Sequence, residues 1–129
     1  MSPTYARVLA VDDDPILLQV LTAYFDKHGM STLTAHNGAA AIAELGDHPE
    51  IDLIITDLHM PDTDGIEFLE RLKQAGCKTP IVVLSSADMT TILSAEVLAK
   101  AYQLNFIGAL TKPVKFHELA RLLGLPEAN

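Results

Sequence analysis

Short apolar runs alternate along the chain with stretches whose apolar residues recur at helical spacing, and Gly, Pro and acidic breaks separate them. Arg7 leads into a short aliphatic and β-branched run that ends at Val11 and stops at Asp12-Asp13-Asp14-Pro15. Asp14 before Pro15 predicts a helix N-cap with Pro in the first helical position, where its missing N–H costs nothing. The helix should run from 15 to about 28, with Leu17, Leu18, Leu21, Tyr24 and Phe25 as its core stripe and Gly29 as its stop. Residues 31–35 read as a second strand, and Asn37-Gly38 opens an Ala-rich helix to about 45 that His48-Pro49-Glu50 breaks. A third strand spans 51–56, followed by a polar loop and a helix over 65–75 whose inner face is Ile66, Leu69 and Leu72. A fourth strand (81–84), a helix capped by Asp88 and running to about 103, a fifth strand (106–110) and a helix over 115–123 complete the pattern.

Five strands alternating with five helical patterns imply βαβ units with right-handed crossovers, hence a parallel sheet covered on both faces. In open sheets of this class the chemistry lies just beyond the carboxyl ends of the strands. The alternation gathers Asp12-Asp13, Asp57, Ser85 and Lys112 along that one edge. Asp57 stands out, because the apolar run before it ends abruptly at this carboxylate and passes into His59-Met60-Pro61-Asp62-Thr63-Asp64-Gly65.

The 129 residues, 49% of them hydrophobic, suit one domain able to bury about two-thirds of its unfolded surface. A net charge of −8 counts against direct nucleic-acid binding, which depends on Lys and Arg neutralising phosphates. One cysteine, Cys77, allows no internal disulfide and fits a reducing compartment. With no apolar segment long enough to span a membrane and no signal-peptide pattern, a cytoplasmic protein is expected. The Pro and small polar residues of 125–129 read as a tail or the start of a linker, leaving 1–124 as the domain.

A carboxylate at a strand end can attack a phosphoryl group if other groups neutralise the phosphoryl charge. Three carboxylates at one edge repel unless a cation sits among them, and an oxygen-only ligand set that must also hold phosphoryl oxygens selects Mg²⁺. Asp14 is accounted for by its cap. The five histidines, His28, His36, His48, His59 and His117, lack zinc-ligand spacing.

Over essentially its whole length the chain resembles the receiver domains of two-component response regulators. Val11-Asp12-Asp13 is similar to that family's acidic pair, Asp57 with Met60-Pro61 and Gly65 to its phosphoacceptor loop, Ser85 to its switch hydroxyl, and Lys112-Pro113 to its Lys-Pro pair. The resemblance implies a flavodoxin-like (βα)5 doubly wound sheet in the order 2-1-3-4-5, with a cis Lys112-Pro113 bond. It implies that Asp57 takes a phosphoryl group from a histidine kinase or phosphotransfer protein. Mg²⁺ would be held by Asp13, Asp57 and the backbone carbonyl of His59, with Asp12 orienting its water. Lys112 would contact a phosphoryl oxygen, and Ser85, preferred over Ser86 because a small residue follows it, would donate its hydroxyl and draw the next loop inward. Such a domain is a signalling switch, not an enzyme with a turnover of its own, and a homodimer is among its possible assemblies. His59, beside the phosphoacceptor, is expected to affect how fast water reaches the acyl phosphate; His59→Asn should change the rate of phosphate loss, and an unchanged rate would dismiss the idea.

The chain also departs from the family. The aromatic residue usual three positions before the Lys is replaced by Ala109, and strand alternation puts Phe106 on the other face from Ala109, too far back to substitute. The segment from Ser85 to Lys112 is longer than usual by about a helical turn. Switching through displacement of the fourth helix is therefore expected. Residues 104–110 resemble receivers attached to cyclic-di-GMP phosphodiesterase domains, which suggests a fused output domain of that kind. A competing resemblance exists: Asp12-x-Asp14 after a first strand is similar to haloacid-dehalogenase-type phosphatases, but Ile16 departs from their pattern, the chain is short and Asp57 would have no purpose. A flavin or nucleotide module lacks its Gly-rich loop after the first strand. A receiver that no longer takes phosphate is a third alternative.

Overall fold

The computed structural model describes residues 5–60, 63–86 and 89–126. Its elements are β1 (Arg7–Val11), α1 (Pro15–Lys27), β2 (Ser31–Ala35), α2 (Gly38–Asp47), β3 (Leu53–Asp57), β4 (His59–Met60), β5 (Thr63–Asp64), α3 (Gly65–Gln74), β6 (Ile81–Ser85), α4 (Met89–Ala101), β7 (Phe106–Thr111) and α5 (Phe116–Leu123). Five strands form a parallel sheet in the order β2-β1-β3-β6-β7, while β4 and β5 pair antiparallel as a separate ribbon. Counting only the five long strands, the order is 2-1-3-4-5, the flavodoxin-like arrangement. The order reverses at β1, which pairs with β2 on one side and β3 on the other, so the crevice for chemistry opens beyond the ends of β1 and β3.

Because helices cover both faces of the sheet, β3 and β6 are buried at every position, which is why they read as unbroken apolar runs. Leu9, Val11, Ile54, Ile81 and Val83 pack with Ala41 of α2, Phe68, Leu69 and Leu72 of α3, and Ala95 and Ala99 of α4. Val8, Ala10, Leu53, Ile55, Val82 and Leu84 pack on the opposite side with Leu18, Leu21 and Phe25 of α1 and Leu119 and Leu123 of α5. Leu125, just beyond α5, is buried in this second layer and donates its N–H to the Ala120 carbonyl.

Local chemistry sets the element limits. Asp14 caps α1 by accepting from the Ile16 N–H, and Asn37 caps α2 by accepting from the Ala40 N–H. Gly29 and Gly76, at φ 77° and 68°, turn the chain out of α1 and α3 in a conformation that costs other residues a steric penalty. α2 runs to Asp47, past the expected end at 45, because the His48 N–H still finds the Glu44 carbonyl. β3 begins at 53 instead of 51, since the Asp52 carboxylate is engaged by the Ala6 and Arg7 N–H groups at the entrance to β1. β3, β6 and β7 each extend one residue further than expected, to Asp57, Ser85 and Thr111, because Asp57 stays in register with Leu84 and Ser85 with Thr111. The β4–β5 ribbon was not expected: two-residue strands carry no periodicity. Pro61, Asp62 and Asp88, the expected cap of α4, lie outside the described residues.

One expectation is overturned. Between β6 and β7 the register jumps from Ile81↔Phe106 to Val82↔Gly108, so Ile107 is the extra residue of a β-bulge. The bulge breaks the alternation, and Phe106 and Ala109 both pack on the α4 side, whereas Ile107 and Leu110 pack on the α5 side. Distance still separates Phe106 from Ser85. Phe106 pairs with the first residue of β6 and Ser85 is the last, about 13 Å apart at strand rise.

Among the described residues, no helix is long and apolar enough to cross a membrane.

Candidate functional site

The site forms where β1, β3, β6 and β7 end side by side. The Asp12 N–H continues the β1–β2 ladder by donating to the Ala35 carbonyl, which holds Asp12 in line with the strand. Its carboxylate is 1% exposed and works twice: Oδ1 accepts from the Asp14 N–H at 2.9 Å, closing a tight turn, and Oδ2 accepts from Lys112 Nζ at 2.8 Å. Asp57, 3% exposed, is the last residue of β3, and its Oδ2 accepts from the same Lys112 ammonium at 3.1 Å. Asp13 is exposed at the rim. Oxygens of Asp12, Asp13 and Asp57 lie within 4.8 Å of one another.

Lys112 follows β7 and is tied to β6 by its own N–H, which donates to the Ser85 carbonyl at 2.9 Å. The Lys112-Pro113 bond is cis. Burial alone would favour the neutral amine of Lys112, but hydrogen bonds to Asp12 and Asp57, together with their charges, raise its pKa above the ordinary lysine value. A permanent cation therefore bridges two buried acids. Ser85 is fully buried at the end of β6, whereas Ser86 is exposed.

The strand ends thus bring together Asp12, Asp13, Asp57 and Lys112, with Ser85 on the strand between Asp57 and Lys112. The backbone of His59 opens β4 two residues after Asp57; its side chain lies outside the described residues. Asp14 points elsewhere: its carboxylate is engaged by the helix cap, so the second acid of a phosphatase-like Asp12-x-Asp14 pair is committed to structure. Sequence reasoning passed over Thr56. Its buried hydroxyl donates to the carbonyl of Asp57 at 3.0 Å and so fixes the backbone from which that carboxylate projects. A lone hydroxyl in a wholly apolar strand was the signal. Chemically the cluster offers three carboxylates with hard oxygen donors and one fixed cation, a set suited to holding a divalent ion and a charged tetrahedral group.

A family model described as response regulator receiver domain matches residues 8–123. The transcriptional regulatory protein TrcR of Mycobacterium tuberculosis is 34% identical over 122 residues, covering 92% of this chain and 44% of TrcR. The regulator of RpoS of Escherichia coli is 32% identical over 109 residues, 84% of this chain and 31% of that protein. The chain therefore spans less than half the length of these two curated relatives. Among solved structures, chemotaxis protein CheY4 of Vibrio cholerae matches with a TM-score of 0.79 at 28% identity, covering 94% of this chain and 98% of CheY4. The receiver domain of Francisella response regulator 1452 matches with a TM-score of 0.74 at 30% identity, covering 91% and 93%.

Proposed function

Because the chain belongs to the response regulator receiver domain family, we propose that Asp57 is its phosphoacceptor and that phosphorylation there switches the surface around α4. The observation that carries this reading is the single ammonium of Lys112 bridging Asp12 and Asp57 at the carboxyl edge of the sheet. An oxygen of Asp57 attacks the phosphorus of a phosphohistidine on a partner kinase or phosphotransfer protein; a P–O bond forms, the P–N bond breaks and the imidazole leaves with the electron pair. The product is an acyl phosphate. Lys112 supplies a point charge to a phosphoryl oxygen, a role its compact ammonium suits. Ser85 donates its hydroxyl to another phosphoryl oxygen and draws the segment after β6 inward. No substrate is turned over apart from the loss of the domain's own phosphoryl group to water.

The donor set fits Mg²⁺, since among the described residues three carboxylates converge and every candidate ligand is oxygen. Asp13, Asp57 and the His59 carbonyl would hold the ion, with Asp12 orienting a water beside it. When bound, the ion supplies positive charge to the phosphoryl oxygens. The expected boundary at 124 moves to 125, because Leu125 is buried in the receiver core; the residues after it would lead toward an output domain, a reading supported by the greater length of the relatives. The resemblance of 104–110 favours a cyclic-di-GMP phosphodiesterase as that output.

Incubation with Mg²⁺ and acetyl phosphate should add one phosphoryl group by intact mass, and Asp57→Asn should abolish the gain. A gain that survives in Asp57→Asn would mean another aspartate is the acceptor. No gain in either protein, with Mg²⁺ binding demonstrated, would point to a receiver that has lost the reaction.

A further inference from the structure

The parallel sheet has two edges, and they are built differently. β7 carries the bulge at Ile107 and runs directly into Lys112-Pro113, devices that keep an edge from pairing with another chain. β2 carries none of them. Its register with β1 is unbroken from Arg7↔Ser31 to Val11↔Ala35, and Ser31–Ala35 contains neither a charged residue nor a proline. The Ser31 N–H donates to the Ala6 carbonyl and the Ala35 carbonyl accepts from the Asp12 N–H, so the odd-numbered residues of β2 bond to β1. By alternation, the N–H and C=O groups of Thr32 and Thr34 point to the side on which, among the described residues, β2 has no neighbouring strand. The side chains of these two threonines line an open hollow with Thr22 and Ala23 of α1, so α1 stands clear of an incoming strand.

The charges say what can pair there. Residues 28–43 include no Asp, Glu, Lys or Arg, the longest such run in a chain that carries −8. Two copies repel over most of their surfaces, and this neutral edge is where a second acidic copy can come close. The strand is also self-complementary. In an antiparallel pair with a two-fold axis at Leu33, Thr32 of each copy stands opposite Thr34 of the other, and their outward N–H and C=O groups all pair, closing about four hydrogen bonds. Thr opposite Thr is a favourable cross-strand pair, and Leu33 meets Leu33 of the second copy on the opposite face. α1 and α2 lie over β1 and β2 on opposite faces, so the same helices of the second copy arrive about 10 Å away, the ordinary spacing of packed helices. Small side chains leave room for this: through residue 46 the exposed positions of α2 are Ala39, Ala43 and Gly46.

We infer that two copies of this chain pair edge to edge through β2, antiparallel about Leu33, which joins their two five-stranded sheets into one. The contact lies at the opposite edge of the sheet from β7 and needs no phosphoryl group on Asp57, so its test stands apart from the phosphoryl-transfer experiment.

The weight-average mass of the intact chain should be followed by sedimentation between about 20 µM and about 1 mM, a range that resolves dissociation constants of weak complexes. The mass should rise toward a dimer, with concentration-dependent amide shifts centred on residues 31–35. Thr34→Pro removes two of the four bonds by symmetry and none of the ladder to β1, and proline is tolerated on the free side of an edge strand. It should weaken pairing at least about tenfold. In a Cys77→Ser background, Leu33→Cys should give a disulfide-linked dimer under copper-phenanthroline oxidation, because the two Cα atoms face each other at about 4.5 Å. Ser31→Cys, at a more exposed position, should not, since its counterpart lies about 14 Å away along the strands. A monomer throughout, a rise indifferent to Thr34→Pro, or amide shifts mapping to another face would overturn the inference. A folded Leu33→Cys protein that crosslinks no better than Ser31→Cys would overturn the antiparallel register.

Discussion

At the residue scale the site is a charge imbalance held in place by packing. Asp12 and Asp57 are buried and share one cation, while Asp13 adds a third negative charge from the rim. The raised pKa of Lys112 means that the bridge keeps its charge at any working pH, but one positive charge among three negative ones leaves the cluster short of two. A divalent ion would balance it. Saturating Mg²⁺ should therefore raise thermal stability, by about 2.7 kcal/mol when the ion is at 100 times its dissociation constant. Asp13→Asn removes one of the proposed ligand carboxylates and one repelling charge at an exposed position; the metal-free protein should melt at an equal or slightly higher temperature, and the Mg²⁺-dependent rise should shrink. If Asp13→Asn retained the full Mg²⁺ shift by calorimetry, Asp13 would have no part in holding the ion. These residues could be found from sequence because each stands where an apolar run stops. Thr56 was harder to see because its duty is toward the backbone of its neighbour, a relation that residue type does not reveal.

At the element scale, what was legible followed from periodicity, and what was missed followed from its interruption. The long strands and all five helices fall where apolar spacing, Asp14, Asn37 and Gly29 put them, because caps and stops are local chemistry. The bulge at Ile107 is not local: it exists only in the pairing of β7 with β6, and it undid the inference from alternation about Phe106. Gly108 was the available clue, since a glycine inside a strand often marks a bulge or a close approach. It marks both here. A Cβ at Gly108 would sit 2.6 Å and 2.8 Å from the two terminal carbons of Leu122, so α5 lies directly on the backbone of β7 at this point. Gly108→Ala should cost little, because the end of a leucine can rotate away. Gly108→Val should cost about 1–3 kcal/mol by overpacking. Leu122→Ala in the Gly108→Val background should recover part of that loss in urea denaturation, and purely additive single effects would show that the two side chains do not meet.

At the scale of the whole molecule, the helices that cover the sheet are anchored unequally. On one side α1 sinks Leu18, Leu21 and Phe25 into the core and α5 sinks Leu119 and Leu123. On the other, the described side chains of α4 that are fully buried are Ala95 and Ala99, and the β7 residue on that side nearest the site is Ala109. Each methylene removed from water contributes about 0.8 kcal/mol, so the described side chains of α4 contribute far less apolar burial against the sheet than those of α1. The strand leading toward α4 is β6, whose last residue is Ser85, placed between the strands carrying Asp57 and Lys112. Under the proposed mechanism, movement of the Ser85 hydroxyl toward a phosphoryl group pulls on a helix whose fully buried described side chains are alanines, and no bulky side chain at Ala109 is available to act instead. Activation with acetyl phosphate and Mg²⁺ should therefore change amide hydrogen exchange chiefly within residues 85–103 and leave α1 and α5 as they were. An α4 whose protection is unaltered while α5 or β7 changes would place the switch on the other layer, and the alanine-lined contact would then be only a matter of close packing.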